Sequence, residues 1–206
     1  MERSQNGGGP QFDPEWAHFL MKKTLLLIAV WILLVYYPNP LMLTGSIGRM
    51  IDPVQPGSVD DFAAILPEDP AEIERLTENY ILVEDDWDQH GVFWYVPTAQ
   101  EVVINARGNC KHRTVLLANV FEAKGIEYEY RVDPVHFWLD YDRKHIGEFE
   151  QNWESGKVPP ADYWATSYRQ MLWDDMPTYR KVLLIVGTIE IALIGMLLRK
   201  IKNKKS

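Results

Sequence analysis

The chain has 206 residues, 47% of them hydrophobic, and its 21 basic and 29 acidic side chains give a net charge of −8. This length and composition fit one modest domain with additional segments, and they exclude a disordered or collagen-like chain. The single cysteine, Cys110, excludes an internal disulfide and a zinc or iron–sulfur site built from several cysteines.

Two strongly apolar runs lie near the two ends of the chain. The first covers residues 24–37, and the second covers residues 182–198 with one acid, Glu190, inside it. About twenty helical residues cross a hydrocarbon core, so both runs predict transmembrane helices. An acid within a span is a functional candidate, and Gly187 and Gly195 allow close packing, so we expect Glu190 to take part in a helix–helix contact.

A cleavable signal peptide is the alternative interpretation of the first run, because signal sequences carry apolar stretches of similar length. The pair Tyr36-Tyr37 resembles an interfacial aromatic belt, and no small-residue cleavage site precedes the proline-rich stretch that follows. These features favour an uncleaved anchor.

Basic residues predict the orientation of the two spans. Lys22 and Lys23 precede the first span and five basic residues within 199–205 follow the second, whereas Arg180 and Lys181 lie on the other side. Because basic residues are enriched on the cytoplasmic side, both ends are expected in the cytoplasm of a multi-pass cell-membrane protein. The predicted plan is a flexible cytoplasmic tail (1–21), transmembrane helix 1 (22–43), an extracytoplasmic domain (44–178), transmembrane helix 2 (179–199) and a basic cytoplasmic tail (200–206).

The segment between the spans is strongly acidic. Residues 44–178 hold 25 acidic and 11 basic side chains, a net charge of −14. Phosphate backbones repel such a surface, which argues against a nucleic-acid partner. The basic residues after the second span are explained by topology and by contact with acidic lipid headgroups.

Local signals predict helices in the first half of the central domain. A proline opens a helix over residues 71–83, and Thr98 and Glu101 have the capping-box spacing of a second, short helix. The clearest helix begins at Cys110, carries apolar residues at helical spacing and ends at Gly125.

The second half of the domain is predicted to be a small antiparallel sheet. Residues 126–132, 135–141 and 146–152 have strand character, and a polar turn at 142–144 joins the last two. The acidic run 84–88 is interpreted as an exposed connection. The domain is therefore expected to be α+β, with helices packed on a small antiparallel sheet and a transmembrane helix on either side.

Cys110 is the candidate nucleophile because a thiol at a helix N-terminus is favoured as the thiolate. Acyl chemistry also needs an imidazole and a group that orients the imidazole. His136 supplies the imidazole, and hairpin pairing places it opposite a residue between Glu150 and Asn152. His112 lies two residues after Cys110 on the same helix, points elsewhere, and is interpreted as a surface residue.

Five short motifs follow one another through this region: Val96-Pro97-Thr98-Ala99-Gln100-Glu101, Arg107-Gly108-Asn109-Cys110, Leu116-Leu117, Ala123-Lys124-Gly125-Ile126 and His136-Phe137-Trp138-Leu139. Together they resemble the core of the transglutaminase-like superfamily, whose fold and triad are papain-like. In that family a Gly-x-Cys begins the central helix, a His-x-Trp strand follows, and an aspartate on the next strand completes the triad. The resemblance implies Cys110 and His136 as catalytic residues. At the aspartate position this chain offers Asn152, which is preferred, or Glu150.

The resemblance implies a membrane-anchored cysteine enzyme that transfers acyl groups through a thioester. A peptide, isopeptide or glutamine amide would be the substrate, and hydrolysis and crosslinking both remain open. The oxyanion donors would be the backbone N–H of Cys110 and a side chain of Gln89, Trp94 or Asn109. No cofactor or metal is expected. The alternative is a catalytically inactive, membrane-tethered domain of the same type that acts as a protein-binding module.

Overall fold

The computed structural model describes residues 14–133, 136–142, 144 and 161–205. In chain order the helices are α1 (Pro14–Tyr36), α2 (Pro40–Ile51), α3 (Asp60–Ala64), α4 (Pro70–Tyr80), α5 (Asp86–His90), α6 (Ala99–Asn105), α7 (Cys110–Lys124), α8 (Ala161–Arg169) and α9 (Thr178–Lys205). A π-helical turn follows α8 at Gln170–Asp174. The strands are β1 (Leu82–Val83), β2 (Arg107–Gly108), β3 (Glu129–Val132) and β4 (Phe137–Asp140).

The chain forms two compact units, one containing α1 and α9 and the other covering residues 39–177. In the first unit, His18–Tyr36 and Thr178–Lys202 are long and apolar enough to cross a membrane. Only 6% of each apolar window is buried, which distinguishes these helices from the core helix of a globular domain. These two candidate spans indicate membrane association. Their apolar surfaces are exposed because the contact between two helices covers only one side of each.

Small residues let α1 and α9 approach each other closely. A Cβ atom added at Gly187 would overlap Trp31, and one added at Gly195 would overlap Thr24. The indole Nε1 of Trp31 also donates a hydrogen bond of 3.2 Å to the carbonyl of Leu183. The expected close packing through the two glycines is confirmed. Glu190 lies between them in sequence, and its side chain is exposed on α9.

The second unit is built around α7, which is buried along most of its length. Helices α3, α4 and α6 and strand β4 pack against it. The fully buried side chains of its core include Ile73, Val96, Val102, Leu116, Phe121 and Leu139. Because α7 is covered on several sides, its apolar residues are spread around the helix and do not form a single stripe.

Two short sheets contact α7 through β2 and β4. Strands β1 and β2 are parallel, with Val83 opposite Gly108, and β3 and β4 are antiparallel, with Val132 opposite Phe137. The antiparallel pair confirms two of the predicted strands in shortened form. The third predicted strand, residues 146–152, lies outside the described residues. The mixed helix and strand composition agrees with an α+β unit.

Local capping chemistry agrees with the helix boundaries. Thr98 and Glu101 form the predicted capping box of α6, with bonds of 3.1 and 2.7 Å, and Gly125 ends α7 at a φ of +68°. The helix α4 begins at Pro70 as expected and ends at Tyr80, slightly before the predicted boundary.

The structure differs from the sequence expectations at two connections. Residues 84–88 are not simply an exposed acidic connection, because they lead into α5, where Asp86 and Trp87 are buried. The first apolar helix ends at Tyr36, and the residues after the proline-rich break form a separate helix, α2, which begins at Pro40. Asn39 caps α2 by accepting a 3.1 Å hydrogen bond from the backbone N–H of Leu41, so the break has its own stabilising contact.

Candidate active site

The start of α7 places Cys110 at the first helical position. Asn109 is the N-cap, and its Oδ1 accepts a hydrogen bond of 3.2 Å from the backbone N–H of Lys111. The N–H of Cys110, as the first residue of the helix, has no acceptor within the helix. The thiol therefore lies where the helix dipole is positive and favours the thiolate.

Gly108 gives a physical reason for the Gly-x-Cys pattern. Its φ of +146° lies in a region that side chains of L-residues rarely adopt. A Cβ atom at this position would also overlap the imidazole ring of His112. Glycine is thus required twice, once by the backbone turn into α7 and once by the packing of His112 against it.

Cys110 and His136 meet in the folded chain, as their predicted roles require. Burial raises the pKa of the Cys110 thiol, but the hydrogen bond with His136 opposes this effect. The thiol pKa is also lowered by the charges of Lys111 and His136 and by a hydrogen bond from the backbone of Phe137. The net result is a thiol pKa below its ordinary value.

The turn between β3 and β4 positions His136. The backbone N–H of His136 donates to Asp133 Oδ1 at 2.7 Å, and the N–H of Asp133 donates to the carbonyl of His136 at 2.9 Å. The imidazole stacks on Trp138, with ring centroids 5.3 Å apart and an interplanar angle of 22°. Thr114 Oγ1 donates to the carbonyl of Phe137 at 2.9 Å, which fastens β4 to α7 beside the thiol.

A buried carboxylate organises the backbone behind the thiol. Asp86 Oδ2 lies 2.9 Å from Lys111 Nζ and accepts a 2.9 Å hydrogen bond from the N–H of Tyr95. Its other oxygen, Oδ1, accepts from Asn109 Nδ2 at 2.9 Å. Asp86 therefore holds both neighbours of Cys110, and it keeps the Lys111 ammonium close enough to favour the thiolate. The sequence offers no signal that separates Asp86 from the acids around it.

His112 is buried and is not a surface residue, so that interpretation was wrong. Its Nδ1 lies 3.4 Å from the backbone N–H of Asn109 and 3.3 Å from Asn109 Oδ1. Its Nε2 lies 3.1 Å from His90 Nε2, so the two rings share a hydrogen bond. Burial, together with the positive charges of Lys111 and His90, lowers the pKa of His112 to about 3. The sequence expectation that it points away from Cys110 agrees with these contacts.

A cleft of about 250 Å³ opens beside the thiol and is called the Cys110 cleft. One wall comes from α4, the floor from α7 and the other wall from the start of β4. The lining residues from α4 are Glu74, Thr77 and Glu78, and Val83 of β1 lies beside them. Those from α7 and its cap are Asn109, Cys110, Arg113, Thr114 and Leu117. Those from the β4 side are His136, Phe137, Trp138 and Leu139. A small substrate segment can thus reach the sulfur and the imidazole from the same space.

The remaining predicted site residues are not all placed. Glu150 and Asn152 lie outside the described residues, so their roles stay predictions. Gln89 Nε2 donates to the carbonyl of Arg107 at 3.3 Å, and the amide of Asn109 is engaged by Asp86. Trp94 lines a separate cavity beside Lys111 and Phe137, so the backbone N–H of Cys110 is the oxyanion donor that this geometry favours. Within the described ranges, no group of three or more His, Cys, Asp or Glu side chains could hold a metal ion.

The chain was compared with known protein families, curated proteins and solved structures. No family model, curated protein or solved structure matches the chain. The geometry around Cys110 is therefore the basis for assigning a function.

Proposed function

We propose that the protein is a membrane-anchored cysteine enzyme of the transglutaminase-like type that transfers acyl groups through a thioester. The observation that carries this proposal is the hydrogen bond between Cys110 and His136 at a helix N-terminus, beside an open cleft. A thiol whose pKa is lowered next to an imidazole matches the requirements of nucleophilic catalysis.

In the first half of the reaction, the Cys110 thiolate attacks the carbonyl carbon of an amide. The carbonyl oxygen becomes an oxyanion, which the N–H of Cys110 stabilises. His136, carrying the proton that came from the thiol, gives that proton to the leaving amine as the carbon–nitrogen bond breaks. The products are a free amine and an acyl group bound to Cys110 as a thioester.

In the second half, water or an amine attacks the thioester. His136 accepts the proton of the attacking molecule and returns it to the sulfur as the carbon–sulfur bond breaks. Water yields a carboxylic acid and gives a peptidase or amidase, whereas an amine yields a new amide and gives a crosslinking enzyme. Both outcomes belong to the proposal.

The proposed location is the cell membrane, with the central domain outside and both chain ends in the cytoplasm. The two candidate spans support membrane association. The distribution of basic residues supports the orientation, since Lys22 and Lys23 precede the first span and the cluster within 199–205 follows most of the second. Glu190 stays a predicted contact site for a further helix, because its side chain is exposed on α9.

The proposal is tested by searching for the thioester. The full chain in detergent is incubated with an activated acyl donor, such as the nitrophenyl ester of a short acylated peptide, and Cys110 is examined by peptide mass mapping. We expect an acyl adduct on Cys110 that hydroxylamine removes, together with turnover of the donor. The matched variants are Cys110→Ser, which has no thiol, and His136→Ala, which keeps the thiol but loses the acid–base group.

Two results would overturn the enzyme proposal. One is a wild-type protein whose thiol is readily alkylated but forms no adduct with any donor. The other is an adduct that forms equally fast in His136→Ala. Either result favours the alternative, an inactive domain that binds a partner protein.

A further inference from the structure

The Cys110 cleft carries an uneven set of charges that the acyl-transfer proposal does not use. Its α4 wall presents Glu74 and Glu78, one helical turn apart, and its floor presents Arg113. The central segment has a net charge of −14 over residues 44–178, so the surrounding field is also negative.

The two glutamates differ in their surroundings. Glu74 Oε2 accepts a hydrogen bond of 2.5 Å from the hydroxyl of Tyr141, and its Oε1 lies 4.0 Å from Lys144 Nζ. Glu78 is exposed, and its carboxylate makes no hydrogen bond or ion pair with any other residue that the structure describes. Glu74 is therefore a structural carboxylate, whereas Glu78 remains available to a ligand in the cleft.

Thr77 provides an independent sign that this wall receives a polar group. Its side chain lines the cleft and the residue is only 1% exposed, yet its hydroxyl has no hydrogen-bond partner within the described part of the chain. A buried hydroxyl without a partner costs free energy, and an incoming donor would remove that cost. Thr77 and Glu78 are consecutive residues of α4 and both line the cleft, so a ligand group on this wall lies near both residues.

Arg113 is the cation that faces these groups from α7. Its Nη2 donates to the carbonyl of Ile81 at 3.4 Å, which directs part of the guanidinium toward the backbone before β1. Within the described residues Arg113 forms no ion pair with either glutamate and its buried Nε has no hydrogen-bond partner, whereas Lys144 is engaged with Glu74 and with the carbonyl of Leu139. The unengaged charge of the α4 wall is therefore the carboxylate of Glu78.

We infer that the Cys110 cleft selects substrates with a cationic side chain near the scissile amide, and that Glu78 binds this cation while Thr77 Oγ1 accepts one of its hydrogen bonds. Lysine and arginine side chains of a peptide have this chemistry, because each carries several N–H donors and a full positive charge. The inference rests on the proposed function, since it names the substrate class of the same thiol.

Charge selection can be measured without any turnover. Cys110 of the full chain in detergent is modified by three methanethiosulfonate reagents of similar size, which carry a trimethylammonium group, a sulfonate group or no charge. Each rate is divided by the rate of the same reagent with a small free thiol. The neutral reagent reports changes in thiol reactivity, and the ratio of cationic to anionic rates reports the field in the cleft.

We expect the cationic reagent to react faster than the anionic one, and Glu78→Gln to reduce that ratio about three- to tenfold by removing one nearby charge. The matched control is Glu122→Gln, an exposed acid at the far end of α7, which should leave the ratio unchanged. Raising the ionic strength should weaken the wild-type preference, because salt screens exposed charges.

A ratio that is the same in the wild type and in Glu78→Gln would overturn the inference, as would an equal loss in Glu122→Gln. These outcomes are distinct from failure of the proposed function. A charge-selective thiol that forms no acyl adduct would end the enzyme proposal and leave the cation-binding cleft. Acyl transfer without any preference for cationic peptides would support the enzyme proposal and overturn the inference that the cleft binds a cation.

Discussion

The first turn of α7 has two sides that share one backbone but differ in their surroundings. On one side Cys110 meets His136 at an open cleft, and on the other His112 lies under Gly108 and against His90. Residues two apart on a helix are separated by about 200°, so the same turn can present a reactive group and a structural one. Burial and hydrogen-bonding partners, more than residue type, therefore decide which of the two histidines can serve in catalysis.

The electrostatic difference between the two histidines follows from these surroundings. His136 is only partly buried, and its hydrogen bond with the Cys110 thiol and its charge both act to lower the pKa of that thiol. His112 is held neutral because burial removes its charge from water and Lys111 lies nearby. Asp86 serves both sides, because it holds Lys111 and the capping residue Asn109.

The largest expected effect comes from breaking the backbone turn that both sides share. Gly108→Ala should lower the free energy of unfolding by about 3 kcal/mol or more, because the new Cβ overlaps His112 and the positive φ is strained. Thermal unfolding followed by near-ultraviolet circular dichroism measures this loss.

The matched control for Gly108→Ala is Gly125→Ala. Gly125 also has a positive φ, of +68°, but an added Cβ meets nothing within 4 Å. We expect a loss of about 1 kcal/mol there. Equal losses in the two variants would mean that the contact with His112 does not matter.

The next effect concerns the structural side and its dependence on pH. His112 has a folded-state pKa of about 3, against 6.5 for an ordinary histidine, so only the unfolded chain takes up a proton between these values. Stability contributed by neutral His112 is therefore fully present above about pH 6.5, and it falls by up to about 1.4 kcal/mol per pH unit as the pH drops toward 3.

Denaturant titrations from neutral to acidic pH measure this slope. His112→Gln should be less stable at neutral pH but should lose less stability on acidification than the wild type. The carboxylates contribute to both proteins alike, so the difference between the two slopes isolates His112. Parallel slopes would show that His112 is not the group that titrates.

On the reactive side, His136→Ala should raise the apparent pKa of Cys110, because the hydrogen bond and the charge of His136 lower it in the wild type. The thiolate fraction near neutral pH would then fall. The pH dependence of iodoacetamide alkylation measures the apparent pKa of Cys110 directly, because Cys110 is the only thiol in the chain. His112→Gln serves as the control and should leave the apparent pKa close to that of the wild type. A shift of similar size in both variants would remove the proposed distinction between the two sides.

The smallest effect concerns the stacking that orients His136. Trp138→Leu removes the aromatic partner that lies 5.3 Å from the imidazole, and we expect a two- to threefold slower alkylation with little change in overall structure. Trp173→Leu, which changes an exposed tryptophan of the π-helical turn, is the matched control. Alkylation at the wild-type rate in Trp138→Leu would show that the β3–β4 turn alone positions the ring.

Features with local causes were predictable from the sequence. The capping box of Thr98 and Glu101, the helix beginning at Cys110 and the glycine that ends it depend on neighbours within a few residues. The antiparallel pairing of β3 with β4 is also local, because only four residues of the chain separate the two strands. The meeting of Cys110 and His136 was expected from the order of motifs and from the family resemblance.

Features that depend on distant contacts were missed. Asp86 was grouped with the exposed acids around it, since its role appears only when α5 packs beside α7 and brings it to Lys111. His112 was assigned to the surface because helical spacing gives a direction but does not say what lies there. His90 comes from another helix and meets His112 only in the folded chain.

By itself, the sequence determined the two apolar helices, the acidic character of the central segment, and the position of Cys110 at a helix start. These properties follow from composition, periodicity and capping, all of which act over short distances along the chain. The tertiary structure alone decided which acid is buried behind the thiol, which histidine is buried away from water, and which glutamate of the cleft has no partner among the described residues. Those outcomes depend on long-range packing, because burial and electrostatic partners are properties of the assembled core.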